Sequence, residues 1–333
     1  MRAVVYRAHG WTEQIAIDEI ATPAPAPGEA LVRVRAVALN GFDPMILRGI
    51  PGLRTPMPHV PGGDIAGEVA ALGAGVSGVA VGARVLINPS HPGRGMMGET
   101  ARGGACEFVC VLPEQLIAIP DAVGFVDAAA LPVAYGTARR MLTTRGRLAA
   151  GETMLVLGAA GGVGTCCIQL GKRIGATVIG CTSSAAKAEK LRALGADLAI
   201  DTSATDWVAA LVERFGKPRT HGKSGGVDVV VNFIGGEDWT RAYRVLKRGG
   251  RMLTCGATNG HAPAEDLRYV WSFEYEILGS NGWAREDLEA LLADVAAGTL
   301  KPVIHSVRPL DLFLTSFLDL AERRVFGKAV LTP

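Results

Sequence analysis

The chain has few cysteines for its length. The six among 333 residues form no CxxC pair and no Cys/His set at the spacing that holds zinc. A thiolate metal module is therefore not legible in it. Charge of one sign is equally scarce: 34 Lys and Arg against 32 Asp and Glu leave a formal net charge of +2. That balance gives no global electrostatic reason to bind nucleic acid or an anionic membrane. The start, MRAVVYRAHG, has no apolar segment of signal-peptide length before Arg7, so the cytoplasm is the expected compartment. One stretch, residues 153–171, carries no charge and approaches the roughly 20 apolar residues that span a bilayer. Gly158, Gly161, Gly162 and Gly164 interrupt it, and a strand, a tight turn and a second element explain them better than one membrane helix. Internal repeats and low-complexity tails are absent.

What is present is a hydrophobic fraction of 49% and 43 glycines, enough apolar surface to offset the entropy of folding over about two domains. Residues 1–124 read as an all-β domain of short runs, among them 3–6, 30–39, 65–72, 83–87 and 106–112, separated by turn clusters such as TPAPAPGE. In the second run Arg33 and Arg35 alternate with Val32, Val34 and Ala36, as in a half-buried strand. Cys106 and Cys110 fall on one face of a period-2 strand, and core packing is preferred to redox chemistry for both. From 125 to 282 helices and strands alternate, the signature of a mostly parallel α/β sheet. The expected order is strand 154–157, helix 163–174, strand 177–181, helix 185–195, strand 198–200, helix 207–215, strand 227–234, helix 239–246, strand 251–255 and strand 276–280. Residues 283–333 end in helix and strand.

The turn in MLVLGAAGGVG follows a strand and precedes a helix, the context in which a glycine pattern reads as a dinucleotide site. Ala159 to Gly164 match G-x-G-x-x-G with alanine first. Gly161 lets the backbone approach the pyrophosphate and Gly164 lets helix and strand pack closely. Ala160, Gly162 and Val163 complete the phosphate turn, whose alternative is a plain tight turn. At the end of the next strand, NAD sites carry Asp or Glu for the ribose 2′-hydroxyl. Here stand Thr182, Ser183 and Ser184, with Lys187 one turn on. A hydroxyl-rich turn followed by a cation suits a 2′-phosphate, hence NADPH, although Lys187 also reads as a solvated helix lysine.

Taken together, ALNGFDPMILRG, PHVPGGDIAGEVAALGAGV, AALPVAYGTA, the glycine turn, LGAD, GGVDVVVNFIGG, EILGSNG and RRVFGKAVL resemble the medium-chain dehydrogenase/reductase superfamily, and within it the zinc-independent quinone oxidoreductase-like proteins. The resemblance spans nearly the whole chain. It implies an α/β protein made of a GroES-like β-domain and a Rossmann domain with a doubly wound parallel sheet, the chain returning to the first domain at its end and the active site lying in the cleft between them. It also implies that Ile234 and Cys255, Gly256 and Ala257 flank the ribose and nicotinamide, that Lys328 returns to the cofactor, and that the protein is a homodimer through the EILGS edge strands. A tyrosine that some relatives use near the 2′-phosphate has no match, since Asp201 and Thr202 stand there.

Metal-dependent members carry cysteine, then Gly-His-Glu, then cysteine, where this chain has Asn40, then Gly62, Gly63 and Asp64, then Val133. None of Asn40, Gly63 and Val133 supplies a thiolate or imidazole. Residues 88–105 lack the four-cysteine run of a structural zinc, so no metal is expected. An improvised site from His59, Asp43 and Asp64 is the lesser alternative.

Without a Lewis acid, a conjugated acceptor is the favoured substrate, because a quinone, enone or enal places the developing negative charge on its own oxygen. Asn40, Phe42 and Asp43 are expected to form the acceptor pocket, with Asp64, Tyr135 and Thr137 on the nicotinamide side. Asn40 is the best donor to a carbonyl oxygen, and Tyr135 reads either as proton donor or as packing. The expected function is NADPH-dependent reduction of such acceptors. Alternatives are an alcohol dehydrogenase or enoyl-thioester reductase of the same superfamily, and an NADPH-binding structural or regulatory protein with little catalysis.

Overall fold

The computed structural model describes all 333 residues, in two compact units: Met1–Gly136 with Ala284–Pro333, and Thr137–Trp283. The division falls at Gly136, later than the 124/125 junction expected from the change of pattern. In the first unit β1 (Arg2–Tyr6) and β2 (Ile15–Glu19) pair antiparallel; β3 (Ala30–Ala38), α1 (Asp43–Arg48), β4 (Asp64–Leu72) and β5 (Arg84–Ile87) follow. A two-residue pair, β6 (Ser90–His91) and β7 (Gly95–Met96), precedes β8 (Phe108–Val111), β9 (Leu116–Ala118) and α2 (Phe125–Ala129). Residues Leu131–Gly136 then wind as a π-helical turn.

The second unit runs α3 (Thr137–Arg140), β10 (Thr153–Leu157), α4 (Gly162–Ile174), β11 (Thr177–Thr182), α5 (Ala185–Ala193), β12 (Leu198–Asp201), α6 (Trp207–Phe215), β13 (Val227–Asn232), α7 (Glu237–Ala242), β14 (Leu246–Thr254), α8 (Leu267–Ser272) and β15 (Glu276–Gly279). The chain then returns to the first unit with α9 (Arg285–Ala296), β16 (Ile304–Pro309), α10 (Phe313–Ala321) and β17 (Lys328–Thr332).

The first unit's main sheet has the order β16-β17-β3-β4-β5-β9, with β8 also paired to β3. In β3, Arg33 and Arg35 point outward while their neighbours are buried, as the alternation requires. Arg35 meets Glu68 on β4 at 2.6 Å, and Arg33 lies over the Phe108 ring. The core beneath gathers Tyr6, Phe313 and Phe317, with ring centroids 6.0 to 6.4 Å apart.

The expectation for the paired cysteines needs correction. Cys106 precedes β8 and is buried, but within β8 the core face belongs to Val109 and Val111, leaving Cys110 half-exposed. The period-2 reading ran through a residue that is not in the strand.

All six strands of the second unit are parallel in the order β12-β11-β10-β13-β14-β15. Helices cover both faces of such a sheet, so its inner strands are uniformly apolar, as Met154 to Leu157 and Val229 to Val231 are. Strand order reverses between β10 and β13, where doubly wound sheets bind their ligands. β13 stops at Asn232, short of the expected 234, because that side chain turns back to accept the N–H groups of Ile234 and Gly235 at 3.1 and 3.0 Å. The helix expected over 239–246 occupies Glu237–Ala242, and Leu246 already begins β14. No helix of the chain is long and apolar enough to cross a membrane.

Candidate active site

In the first unit, sheet register gathers residues far apart in sequence. Ala38 pairs with both Asp64 and Val330, so the end of β3 lies beside the starts of β4 and β17. Asn40 follows β3, Asp64 opens β4, and Lys328 opens β17, two residues before Val330. The Lys328 ammonium donates to Asn40 Oδ1 at 2.5 Å and to Asp64 Oδ2 at 2.9 Å. Asn40 Nδ2 donates to the same Asp64 oxygen at 3.0 Å, and Asp64 Oδ1 accepts the Val133 N–H at 2.9 Å. Lys328 is 2% exposed, Asn40 6% and Asp64 0%, so the ion pair is thoroughly desolvated. Such a pair persists only where further hydrogen bonds satisfy both partners, as they do here.

Asp43 opens α1 and accepts the Asn40 backbone N–H on Oδ2 at 2.6 Å. Its Oδ1 is buried without a partner. Burial pushes the Asp43 carboxyl up to about 7, against its hydrogen bond from Asn40 and the Lys328 charge, with the Asp64 charge adding to the rise. Phe42 is half-buried, its ring tip near Gly63. Tyr135 is fully buried, and its hydroxyl oxygen accepts the Val303 N–H at 3.1 Å, the setting of a packing residue rather than an exposed proton donor. Thr137 is buried and belongs to the second unit.

The three positions at which metal-dependent relatives carry ligands do not fit an ion. A side chain at Gly63 would begin 2.6 Å from the Met97 carbonyl oxygen, where residues 97–98 cover the turn. Asn40 is committed to Lys328 and Asp64, and Val133 offers only an apolar side chain. His59 is buried with Nε2 unpartnered, and burial lowers its pKa. It joins no group of three or more potential ligands with Asp43 and Asp64.

The second unit builds a cradle suited to a dinucleotide. β10 ends at Leu157, Gly158 turns at φ 73°, and Gly161 caps α4, a 13-residue helix whose first N–H groups face the turn. A Cβ at Gly161 would meet nothing closer than the Gly158 oxygen at 3.7 Å, so there is room for a ligand's phosphates over that backbone. A Cβ at Gly164 would collide with Gly158 O and lie 2.6 Å from Ala159 backbone atoms. This is the close helix–strand approach that the glycine pattern predicts. Ala159 and Ala160 are buried, and Gly162 and Val163 form the first turn of α4.

At the end of β11, Thr182 is buried, Ser183 exposed and Ser184 half-buried. Lys187 is half-buried one turn into α5, its pKa lowered by burial and by Lys190 beside it. Asp201 turns its carboxylate onto Ser203, at 3.0 and 2.7 Å. Ile234 lies over Gly158, within 3.3 Å of where a Cβ would stand. Cys255, Gly256 and Ala257 follow β14, and burial pushes the Cys255 thiol up to about 12, which makes it a poor thiolate.

The structure thus collects Asn40, Asp43 and Asp64 and adds Lys328 to them. It is the cation of this cluster. A basic residue opening the last strand is the only local signal for that role.

Comparison with known proteins agrees with this architecture. Residues 26–121 match the family "Alcohol dehydrogenase GroES-like domain" and residues 162–297 match "Zinc-binding dehydrogenase". The human synaptic vesicle membrane protein VAT-1 homolog is 32% identical over 100% of this chain and 86% of its own length. The chloroplastic NADPH-dependent alkenal/one oxidoreductase of Arabidopsis thaliana is 32% identical over 100% and 80%. A crystal structure of an NAD-dependent alcohol dehydrogenase superposes with a TM-score of 0.92 at 34% identity, covering 100% of both chains. The chain belongs to the medium-chain dehydrogenase/reductase superfamily, among its quinone oxidoreductase-like members, a family of oxidoreductases that bind a nicotinamide cofactor.

Proposed function

We propose that the chain is an NADPH-dependent, metal-independent reductase of quinones or α,β-unsaturated carbonyls. The observation that carries the reading is the buried Asn40–Asp64–Lys328 cluster, which offers an amide donor backed by a cation where metal-dependent relatives hold an ion. Bound NADPH supplies the hydride. The chain's residues then hold the acceptor, donate to its oxygen from Asn40 and keep water from competing. An acceptor whose conjugation already stabilises the oxyanion needs no more than this.

The choice of NADPH is supported by the end of β11, where Ser183 and Lys187 stand and residues 182–187 include no carboxylate. Six free cysteines fit a reducing compartment such as the cytoplasm. A homodimer is supported by β15, which ends its sheet, together with Trp271 at 71%, Leu267 at 66% and Ile277 at 39% exposure on and before that strand. Light scattering of the purified chain at micromolar concentration should give twice the monomer mass; a monomer mass counts against the dimer.

The deciding experiment follows oxidation of NADPH and of NADH at matched concentration with quinones, enones, enals, enoyl-thioesters and simple ketones. Turnover of the conjugated acceptors, faster with NADPH, is expected. Turnover of simple ketones alone would indicate an alcohol dehydrogenase, and cofactor binding without turnover a binding protein.

A further inference from the structure

The Asn40 carboxamide can take only one orientation. Lys328 only donates, so it must face Oδ1; ionised Asp64 only accepts, so it must face Nδ2. One N–H of the amide is thereby used, and the second is not hydrogen-bonded within the cluster. All three groups are shielded from water, so the ammonium charge acts on the amide in a medium that screens it weakly.

We infer that Lys328 is a positioning residue that polarises Asn40: its ammonium draws electron density toward Oδ1 and so strengthens the remaining Nδ2–H as donor to the oxygen of the acceptor. Asp64 completes the device by fixing the other N–H and by balancing the charge of Lys328, which keeps the cation buried. The cation thus reaches the reacting oxygen through one amide instead of by direct coordination. This role rests on the reductase reading above and assigns Lys328 and Asp64 to electronic control of the acceptor side, separate from cofactor binding.

The effect should grow with the negative charge that the acceptor cannot stabilise itself. Removing a preorganised oxyanion donor costs about 100- to 1000-fold in kcat, and weakening one through an intervening amide should cost less, about 10- to 100-fold. The test is steady-state kinetics of Lys328→Met, Lys328→Arg and Asp64→Asn, each with Asn40 intact and in an Asn40→Ala background. The acceptors are enones and quinones graded by electron affinity, and melting temperatures are recorded alongside.

Lys328→Met should lower kcat most for the least activated enones and least for strongly electrophilic quinones, with the NADPH Michaelis constant unchanged. Lys328→Arg should restore part of the loss, and Lys328→Met should add nothing further once Asn40 is alanine. A uniform loss across acceptors, or an equal loss in the Asn40→Ala background, overturns the inference and leaves the reductase reading standing. Failure of the wild-type chain to reduce any acceptor overturns both. If Lys328→Met does not fold, Asp64→Asn decides: the same graded loss is expected, and unchanged kinetics overturn the inference.

Discussion

Gly164→Ala is expected to lose nicotinamide-cofactor binding and to lower unfolding stability by about 3 kcal/mol, the upper range for forcing extra atoms into a filled site. The new methyl would start 2.6 Å from the backbone of Ala159 and collide with Gly158 O. Backbone cannot swing aside as a side-chain tip can, so α4 must lift from β10 and carry its N-terminal N–H groups with it. Gly161→Ala supplies the contrast. Its methyl enters open space at an ordinary φ of −77°, so stability should hold while cofactor affinity falls, the methyl occupying room left for phosphates. Urea unfolding and fluorescence titration with NADPH separate the two. Wild-type affinity in Gly164→Ala would remove the glycine turn from the cofactor site.

The second large effect is on pH and stability. Asp43→Asn should stabilise the chain at pH 8.5 by about 3 kcal/mol more than at pH 5. The Asp43 carboxyl is held near 7 where 3.8 is ordinary, so between those values the folded chain keeps a proton that the unfolded chain has released. The stability this proton contributes is complete below 3.8 and is lost as pH rises through 7. Asparagine cannot ionise, so that slope disappears, while its carbonyl still accepts the Asn40 N–H. Denaturant unfolding of both proteins from pH 5 to 8.5 measures the difference; parallel pH dependences would show that Asp43 ionises normally.

Much of the second unit was legible in sequence because its signals are local. The glycine turn, the Gly195 stop after α5 and the buried runs of β10 and β13 each declare themselves within a few residues. The first unit was harder. β2 and β16 carry mixed burial with no clean alternation, and neither was anticipated. The π-helical turn at 131–136 has no simple periodicity either. The cluster was legible only in pieces: Asn40, Asp43, Asp64 and Lys328 each stood out by motif, but nothing local joined Lys328 to Asn40, 288 positions away. Only the pairing of β17 with β3 joins them, and pairing over that distance leaves no trace in local pattern.

The close cover of Gly63 by Met97 and Gly98 bears on how such a protein can change over generations. A histidine at 63 has no space until residues 97–98 retreat. A cysteine at 40 would release Lys328 from the Asn40 side chain and leave its buried charge with Asp64 alone. A histidine at 63 or a cysteine at 40, taken singly, therefore costs stability before any ion can bind to compensate. A ligand set at these positions is thus closed to point-by-point selection, since each single change would have to persist uncompensated.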